Sequence, residues 1–313
     1  MSFSSEVKKE VLTINDTSIC CKKALLLGIL QGASEIIIGN NEIRILIKLP
    51  ILNAVKIIIP LLKDIYKIEL DEGISKSISS LGHKYYCLEV KDKVEEIITD
   101  FSLMPYDEIS IEHPILKKDC CKAAFVRGLF VIKGSINDPR KNRYHFEINC
   151  KKESVAQTLL SIFEGIEVEA KTVLKGQNYV VYVKKSEEIR DCLALIGASS
   201  GIFYFEDSRI YRDYVNQVNR LTNCDVANAR RSAESCEKQL AVIQIIRDSG
   251  YFHKMPIRLQ TVAKMREEYP DSTLDELVEV SDKVFGKTMS KSGISHCFHD
   301  LMSYYESLKL NKK

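Results

Sequence analysis

The chain has 313 residues, enough for about two domains, and its 45% hydrophobic and 28% charged residues exclude a disordered or collagen-like protein. Its 45 Lys and Arg residues exceed its 43 Asp and Glu residues by two, so any basic surface for nucleic acid must be local. The sequence contains neither the roughly 18 consecutive apolar residues of a membrane span nor the apolar core of a signal peptide, which predicts a cytoplasmic protein without a membrane partner.

The first elements along the chain are an N-terminal helix or arm, residues 1–19, and a segment that occurs twice. The segment CCKKALLLGILQGASEI (20–36) aligns with CCKAAFVRGLFVIKGSI (120–136) at an offset of 100 residues. Cys, Cys, Lys, Ala, Gly and Ile coincide in the two copies. Such a repeat indicates the duplication of one supersecondary unit.

The elements that follow each copy are also parallel. After the first copy we expect two strands around a Gly-Asn-Asn turn, a helix over 50–66, strands near 67–70 and 85–90, and a helix over 92–101. After the second copy we expect a hairpin over 133–150, a helix over 153–163, strands near 168–174 and 179–184, and a helix over 186–196. Each half therefore has the predicted order helix–strand–strand–helix–strand–strand–helix.

The repeated helices carry glycines at equivalent positions, Gly28 and Gly128. A glycine inside a helix costs about 1 kcal/mol relative to alanine, and close approach of another helix backbone is the usual compensation. The two helices are therefore predicted to pack on each other along a pseudo-twofold axis.

The last third of the chain is predicted to be helical, with a linker over 206–250 and a helix-turn-helix domain over 251–313. A helix over 257–268 ends before Pro270, and Thr273 with Glu276 forms a capping box at the start of the next helix. In a last helix over 291–308, Ile294, Phe298, Leu301 and Tyr305 recur on one face. The helix-turn-helix motif is expected at about 273–306.

The ten cysteines include no CxxC pair, which disfavours zinc ribbons and thioredoxin-like redox sites. We expect reduced and mostly buried thiols. The adjacent pairs Cys20-Cys21 and Cys120-Cys121, each taken alone, are poorly suited to chelate a metal. No metal and no cofactor are therefore expected.

The residues at 26–30 and 126–130 resemble, in register, the opening of the motif helix of LAGLIDADG homing endonucleases. Together with SEVKKE (5–10), the two cysteine pairs, GSINDP (134–139) and NRLTNCDVAN (219–228), they resemble the WhiA family of bacterial regulators over the whole chain. The resemblance implies an α+β fold, in which a duplicated αββαββα LAGLIDADG-like saddle at 20–205 is followed by an all-α helix-turn-helix domain.

The resemblance also implies that the endonuclease chemistry is lost. In the endonucleases the end of each motif helix supplies one carboxylate to divalent metals, and the matching positions here are Ala33 and Lys133. Glu35 is expected to be a surface or turn residue, and Asp138 a turn residue in the Asn-Asp-Pro sequence. We therefore expect no catalytic residue and no enzyme.

The expected DNA contacts fall in three groups. The hairpin over 133–152 carries six basic and two acidic residues, a local excess of the kind that phosphate contacts need. A recognition helix places its N-terminal residues against base edges, and Ser, His and Lys can all serve there. The predicted contacts are Lys291, Ser292, Ser295, His296 and His299 in the recognition helix, Arg230 and Arg231 in the linker, and Lys133, Arg140 and Arg143 in the hairpin.

The expected function is that of a non-enzymatic DNA-binding transcriptional regulator involved in sporulation and/or cell division and chromosome segregation, as the resemblance implies. Its expected location is cytoplasmic and nucleoid-associated, and its expected partner is double-stranded DNA, with a partner regulator protein left open. The internal duplication predicts a monomer. Two alternatives stay open: a protein-interaction scaffold acting at cell division without promoter targets, and a metal-dependent DNA endonuclease.

Overall fold

The computed structural model describes residues 2–39, 42–69, 75–78, 84–141, 143–283, 286 and 288–310. At 75–78, 84, 309 and 310 only the backbone is described. The chain divides into two compact units, Met1–Asp213 and Tyr214–Lys313, named here the repeat unit and the C-terminal unit. Among the described residues, no helix is long and apolar enough to cross a membrane.

The repeat unit begins with helix α1 (Phe3–Val11), whose first turn is capped by the Ser2 hydroxyl. The first repeat then comprises α2 (Ile19–Ala33), β1 (Ser34–Gly39), β2 (Glu42–Leu49), α3 (Leu52–Tyr66), β3 (Ser75–Ile78), β4 (Lys84–Val90) and α4 (Val94–Asp100). Its four strands form an antiparallel sheet in the order β1-β2-β4-β3.

The second repeat has the same order of elements. It comprises α5 (Asp119–Lys133), β5 (Gly134–Ile136), β6 (Phe146–Cys150), α6 (Glu153–Glu164), β7 (Lys171–Lys175), β8 (Asn178–Val183) and α7 (Ser186–Ile196). Its antiparallel sheet has the equivalent order β5-β6-β8-β7. The duplicated αββαββα order predicted from the sequence is confirmed.

The predicted strand near 67–70 is wrong. Lys67 has a φ of 57° and closes α3 in the left-handed conformation, and the chain at 67–69 is irregular. The strand of this repeat lies later, at Ser75–Ile78, where it pairs with β4. The predicted Gly-Asn-Asn turn includes residues 40 and 41, and the strand near 67–70 includes residue 70; these three positions lie outside the described residues.

Helices α2 and α5 pack against each other through their glycines. A Cβ on Gly28 would overlap the carbonyl oxygen of Phe125, and a Cβ on Gly128 would overlap that of Leu25. Leu26, Leu27, Val126 and other apolar residues of both helices are almost fully buried in one core. The close helix packing predicted from the equivalent glycines is confirmed.

The helix α8 (Ser199–Asp248) has 50 residues, of which the first 15 belong to the repeat unit and the rest to the C-terminal unit. In the repeat unit its start is capped by Glu10, whose carboxylate accepts from the backbone N–H groups of Ser200 (2.5 Å) and Gly201 (2.9 Å).

The C-terminal unit continues with α9 (Ile257–Glu268), α10 (Leu274–Lys283) and α11 (Lys291–Leu310). It has its own hydrophobic core, which includes Ile246, Val262, Leu277 and Ile294. The core therefore holds α9, α10 and α11 against the last part of α8.

Candidate nucleic-acid interface

Helix α10 begins at the predicted capping box. The Thr273 backbone N–H donates to the Glu276 carboxylate (2.7 Å), and the Glu276 backbone N–H donates to the Thr273 hydroxyl (3.3 Å). These reciprocal bonds satisfy donors that the first turn would otherwise leave unpaired, so they fix where α10 starts.

Helix α11 is anchored on one face and at its N-terminus. Ile294, Phe298 and Leu301 are at most 4% exposed, and Tyr305 packs on the same core. The Ser290 hydroxyl accepts from the backbone N–H of Gly293 (3.1 Å), as expected for an N-cap. The predicted buried stripe and cap are therefore confirmed, and they fix which face of α11 points outward.

The outward face of α11 carries three of the predicted contact residues. Ser292, His296 and His299 are exposed and follow one another at i, i+4 and i+7. Ser303 extends this row by one more turn and was not predicted, although the same helical spacing points to it. Ser295 lies beside the row, where it borders a groove between α8 and α11.

Two cations lie at the N-terminal end of α11. Lys291 forms an ion pair with Asp275 of α10 (2.6 Å), and both side chains are more than half exposed. Arg258 of α9 is exposed, and its guanidinium donates to the carbonyl oxygen of Gly293 (3.4 Å). Arg258 was not predicted, because only the packing of α9 against α11 brings it to this end.

The predicted linker arginines lie on the exposed surface of α8. The guanidinium of Arg230 is 2.9 Å from the Glu234 carboxylate, and 80% of its side chain is exposed. Arg231 is exposed as well. Exposed i, i+4 ion pairs contribute little to stability, so Arg230 can exchange its partner for a phosphate at small cost.

The basic hairpin offers fewer outward cations than its sequence implies. Arg140 donates to Asp138 and lies over the ring of Tyr204, with 5.1 Å to the ring centroid. Lys152 donates to the backbone carbonyls of Ser102 (3.0 Å) and Met104 (2.6 Å). The predicted excess of basic residues is therefore partly used inside the repeat unit.

Of the three basic residues predicted in the hairpin, Arg140 and Arg143 are exposed and Lys133 is half-buried. Asp138 lies in a turn as predicted, since its carboxylate accepts from the Arg140 backbone N–H (3.0 Å). Asn137 also supports the loop through a bond from its side chain to the Arg143 carbonyl (3.2 Å).

The ends of the two motif helices carry no acid. Ala33, the last residue of α2, is 3% exposed, and Lys133, the last residue of α5, is half-buried. Burial, together with the neighbouring Lys151, lowers the pKa of Lys133. A methyl group and an ammonium therefore occupy the two positions that the resemblance matches to the metal ligands of the endonucleases.

Glu35 lies in strand β1, so the expectation of a turn is wrong, whereas its side chain is 43% exposed and lies at the surface. Its carboxylate is 2.5 Å from the Lys48 ammonium and 4.0 Å from that of Lys151. Strand pairing accounts for this position, because Glu35 stands opposite Leu46, two residues before Lys48. The two lysines neutralise this carboxylate.

Three acidic residues of the sheets lie against basic side chains. Arg44 of β2 contacts Glu89 of β4 (2.6 Å), and His145 contacts Glu147 of β6 (2.9 Å). Together with the pair formed by Glu35, these contacts weaken the positive potential that the sheets would present to a phosphate backbone.

Comparison with known proteins gives a consistent result over the whole length. Residues 19–104 match the WhiA N-terminal LAGLIDADG-like domain, residues 122–215 the WhiA LAGLIDADG-like domain, and residues 218–305 the WhiA C-terminal HTH domain. A protein of Oceanobacillus iheyensis named probable cell division protein WhiA is 32% identical over 312 residues, covering 99% of this chain and 98% of its own.

A second relative of the same name, from Brevibacillus brevis, is 33% identical over 299 residues and covers 95% of this chain and 94% of its own. The fold is similar to the crystal structure of full-length DUF199/WhiA from Thermatoga maritima, with a TM-score of 0.61, 21% identity and coverage of 98% of this chain and 99% of that one. The α+β fold with a LAGLIDADG-like domain and a C-terminal helix-turn-helix is confirmed, and the chain belongs to the WhiA family.

Proposed function

We propose that the chain binds double-stranded DNA specifically through the outward face of α11 and acts as a transcriptional regulator. The observation that carries this proposal is the row Ser292, His296 and His299, exposed on a helix whose opposite face and N-terminus are fixed by the core and by Ser290. A helix presented in this way can enter the major groove, where hydroxyl and imidazole groups hydrogen-bond to base edges.

Phosphate contacts come from cations around the recognition helix. Lys291 and Arg258 stand at its N-terminal end, and Arg230 and Arg231 lie on α8. Such contacts supply affinity and set the register on the duplex without reading the sequence. In the hairpin, the proposed phosphate contacts are Arg140, Arg143 and Lys133.

The proposed regulator is not an enzyme. Ala33 and Lys133 replace the paired carboxylates, and Glu35 is held between Lys48 and Lys151. Mg²⁺ in nuclease sites is bound through carboxylates together with substrate phosphates, so this arrangement does not favour metal-dependent cleavage.

The names of its relatives support a role in cell division. Proteins 32% and 33% identical to it over nearly their whole length are named probable cell division protein WhiA. We infer a role in cell division, sporulation or chromosome segregation, exercised at the nucleoid in the cytoplasm. We also infer a monomer, because the two repeats of one chain supply the pseudo-twofold symmetry.

A second function, protein binding by the repeat unit, is favoured by the surface of its sheets. Glu35 and Glu89 are paired with bases, and the large apolar residues Ile38 and Leu174 are 70% and 60% exposed. Exposed apolar residues on such a surface favour a protein rather than a phosphate backbone. This surface is compatible with a partner regulator protein.

The test is selection of sheared genomic DNA by the full chain, followed by sequencing of the bound fragments. We expect wild-type protein and His253→Ala to enrich a shared sequence, and His296→Ala to lose or alter it. His253 is a matched control because it is also an exposed histidine of the C-terminal unit. Enrichment of the same sequence by His296→Ala, or no enrichment by wild-type protein, contradicts the proposal.

A further inference from the structure

The two adjacent cysteine pairs of the repeats meet in the folded chain. Cys20 and Cys21 lie in the first turn of α2, and Cys120 and Cys121 in the first turn of α5. The four Sγ atoms all lie within 4.8 Å of one another. Each pair alone is poorly suited to a metal, so the sequence does not predict the site that the four cysteines form together.

The glycine contact explains why the pairs meet. Each pair precedes its helix glycine by seven and eight residues, Cys20 and Cys21 before Gly28 and Cys120 and Cys121 before Gly128. Because the two glycines let the helix backbones touch, equivalent residues two turns earlier stand opposite each other. The cluster is therefore a direct product of the duplication and its packing.

The geometry suits a tetrahedral ion. Four thiolates around Zn²⁺ at about 2.3 Å require sulfur–sulfur distances of about 3.8 Å. The observed upper limit of 4.8 Å means that each sulfur has to move inward by roughly 0.6 Å at most, within reach of small χ1 rotations. Four soft sulfur ligands favour zinc over the hard cations Mg²⁺ and Ca²⁺.

The cluster lies at the positive ends of two helix dipoles. The N-cap side chains of Ser18 and Lys118 do not cap the backbone N–H groups of the first turns, and the Ser18 hydroxyl instead accepts from the Cys20 thiol (3.6 Å). Lys22 and Lys122 follow the two pairs in the same turns, and each forms an ion pair, with Asp64 (2.6 Å) and Asp119 (2.9 Å). The two helix ends offset part of the excess negative charge of a tetrathiolate zinc centre.

The site is also accessible to an ion. Cys21 and Cys121 are buried, Cys20 is partly buried and Cys120 is exposed. Buried sulfurs give a closed inner wall, and the exposed pair forms the entrance. Closed four-ligand sites of this kind are structural rather than catalytic.

We propose that Cys20, Cys21, Cys120 and Cys121 bind one structural zinc ion that fastens the two repeats together at the N-terminal ends of α2 and α5. On binding, each thiol releases its proton to solvent and the ion is held by four thiolates. The site lies in the repeat unit and does not depend on the proposed DNA-binding function.

The first experiment titrates the reduced, metal-free full chain with Co²⁺ and then with Zn²⁺. We expect saturation at one Co²⁺ per chain, with the visible bands of a tetrahedral ion and a thiolate-to-cobalt charge-transfer band, and loss of both on adding Zn²⁺. A titration without tetrahedral bands overturns the proposal, and it requires no variant that could misfold.

The second experiment compares the double variant Cys20→Ser/Cys120→Ser with Cys224→Ser by elemental analysis of zinc per chain. Cys224 is a matched control because it is an exposed cysteine outside the cluster. We expect one zinc in wild-type protein and in Cys224→Ser and none in the double variant, with similar circular dichroism in all three. Equal zinc in all three contradicts the proposal, as does a metal-free wild-type chain whose mass shows disulfides within the cluster.

Discussion

Gly28 and Gly128 face each other across the interface of α2 and α5, so that a Cβ built on Gly128 would lie 3.2 Å from the Cα atom of Gly28. The same Cβ would lie 3.0 Å from the backbone nitrogen of Ile29. Backbone atoms cannot move aside as a flexible side chain can. The distance between the two repeats is therefore set by the absence of side chains at these two positions.

Substitution Gly128→Ala is expected to loosen the repeat unit. The added methyl group must push the helix backbones apart, and we expect a loss of about 3 kcal/mol, at the upper end of overpacking costs. Hydrogen exchange of the α2 and α5 amide groups measures this loss in the repeat unit itself. The control is Gly39→Ala, which meets no heavy atom within 4 Å among the described residues. Equal hydrogen-exchange protection in both variants would contradict the prediction, because it would show that the helix contact does not limit the stability of the repeat unit.

Removal of the Asp16 side chain is also expected to lower the stability of the repeat unit. The Asp16 carboxylate lies 3.5 Å from the guanidinium of Arg127, and both side chains are nearly buried, at 13% and 9% exposure. Asp16→Ala leaves a buried charge without its partner, which costs about 3–5 kcal/mol. The matched control Asp64→Ala breaks the more exposed pair with Lys22 and should cost about 1 kcal/mol or less. Thermal unfolding of both variants checks the prediction, and similar losses would contradict it.

Much of the fold could be predicted from the sequence because local patterns carry it. The duplicated segment gave the order of elements, and Thr273 with Glu276 gave the start of α10. The strand near 67–70 was wrong because the left-handed conformation of Lys67, which ends α3 there, has no marker such as glycine. The end of a helix cannot be predicted from residue types where a residue other than glycine adopts the left-handed conformation.

The outward face of α11 could be predicted from the sequence, whereas the contacts from other helices could not. Helical spacing gave Ser292, His296 and His299, whereas Arg258 comes from another helix and is brought in by packing. The cysteine pairs are 100 residues apart, and their approach requires the helix contact. Contacts between distant segments follow from the tertiary structure alone.

Lys8 is expected to make stability depend on pH. Burial and the neighbouring Lys133 lower its pKa from 10.5 to about 8 in the folded chain. Between these values the unfolded chain binds the proton and the folded chain does not, so stability rises with pH through this window. Below pH 8 the charged form is present in both states and its burial lowers stability in full.

The variant Lys8→Met tests this sign. It should be more stable than wild-type protein at pH 7, and the difference should shrink as the pH rises from about 8 to 10.5. Titrations of groups far from Lys8 are common to both proteins and cancel in the difference. Urea unfolding of both at several pH values is the measurement; a difference that is constant or grows with pH would refute the burial of a charged Lys8.

Asp275 is expected to restrain DNA binding. It pairs with Lys291 at the N-terminal end of α11, so Asp275→Asn releases a cation and removes a negative charge near the proposed phosphate path. We expect tighter binding and a salt dependence steeper by about one phosphate contact. Glu69→Gln, which releases Lys63 from a comparable pair on α3, is the control and should change neither. The measurement is the DNA affinity of each full-length variant over a series of salt concentrations. Weaker binding by Asp275→Asn would contradict the prediction.

The most direct test of recognition by α11 is the affinity of the full chain for its selected DNA site and for the same site with one contacted base pair changed. Wild-type protein and His253→Ala should discriminate between the two, whereas His296→Ala should lose about 1–3 kcal/mol of that discrimination, or roughly 5- to 150-fold. Undiminished discrimination by His296→Ala, and likewise by Ser292→Ala and His299→Ala, would contradict recognition by α11.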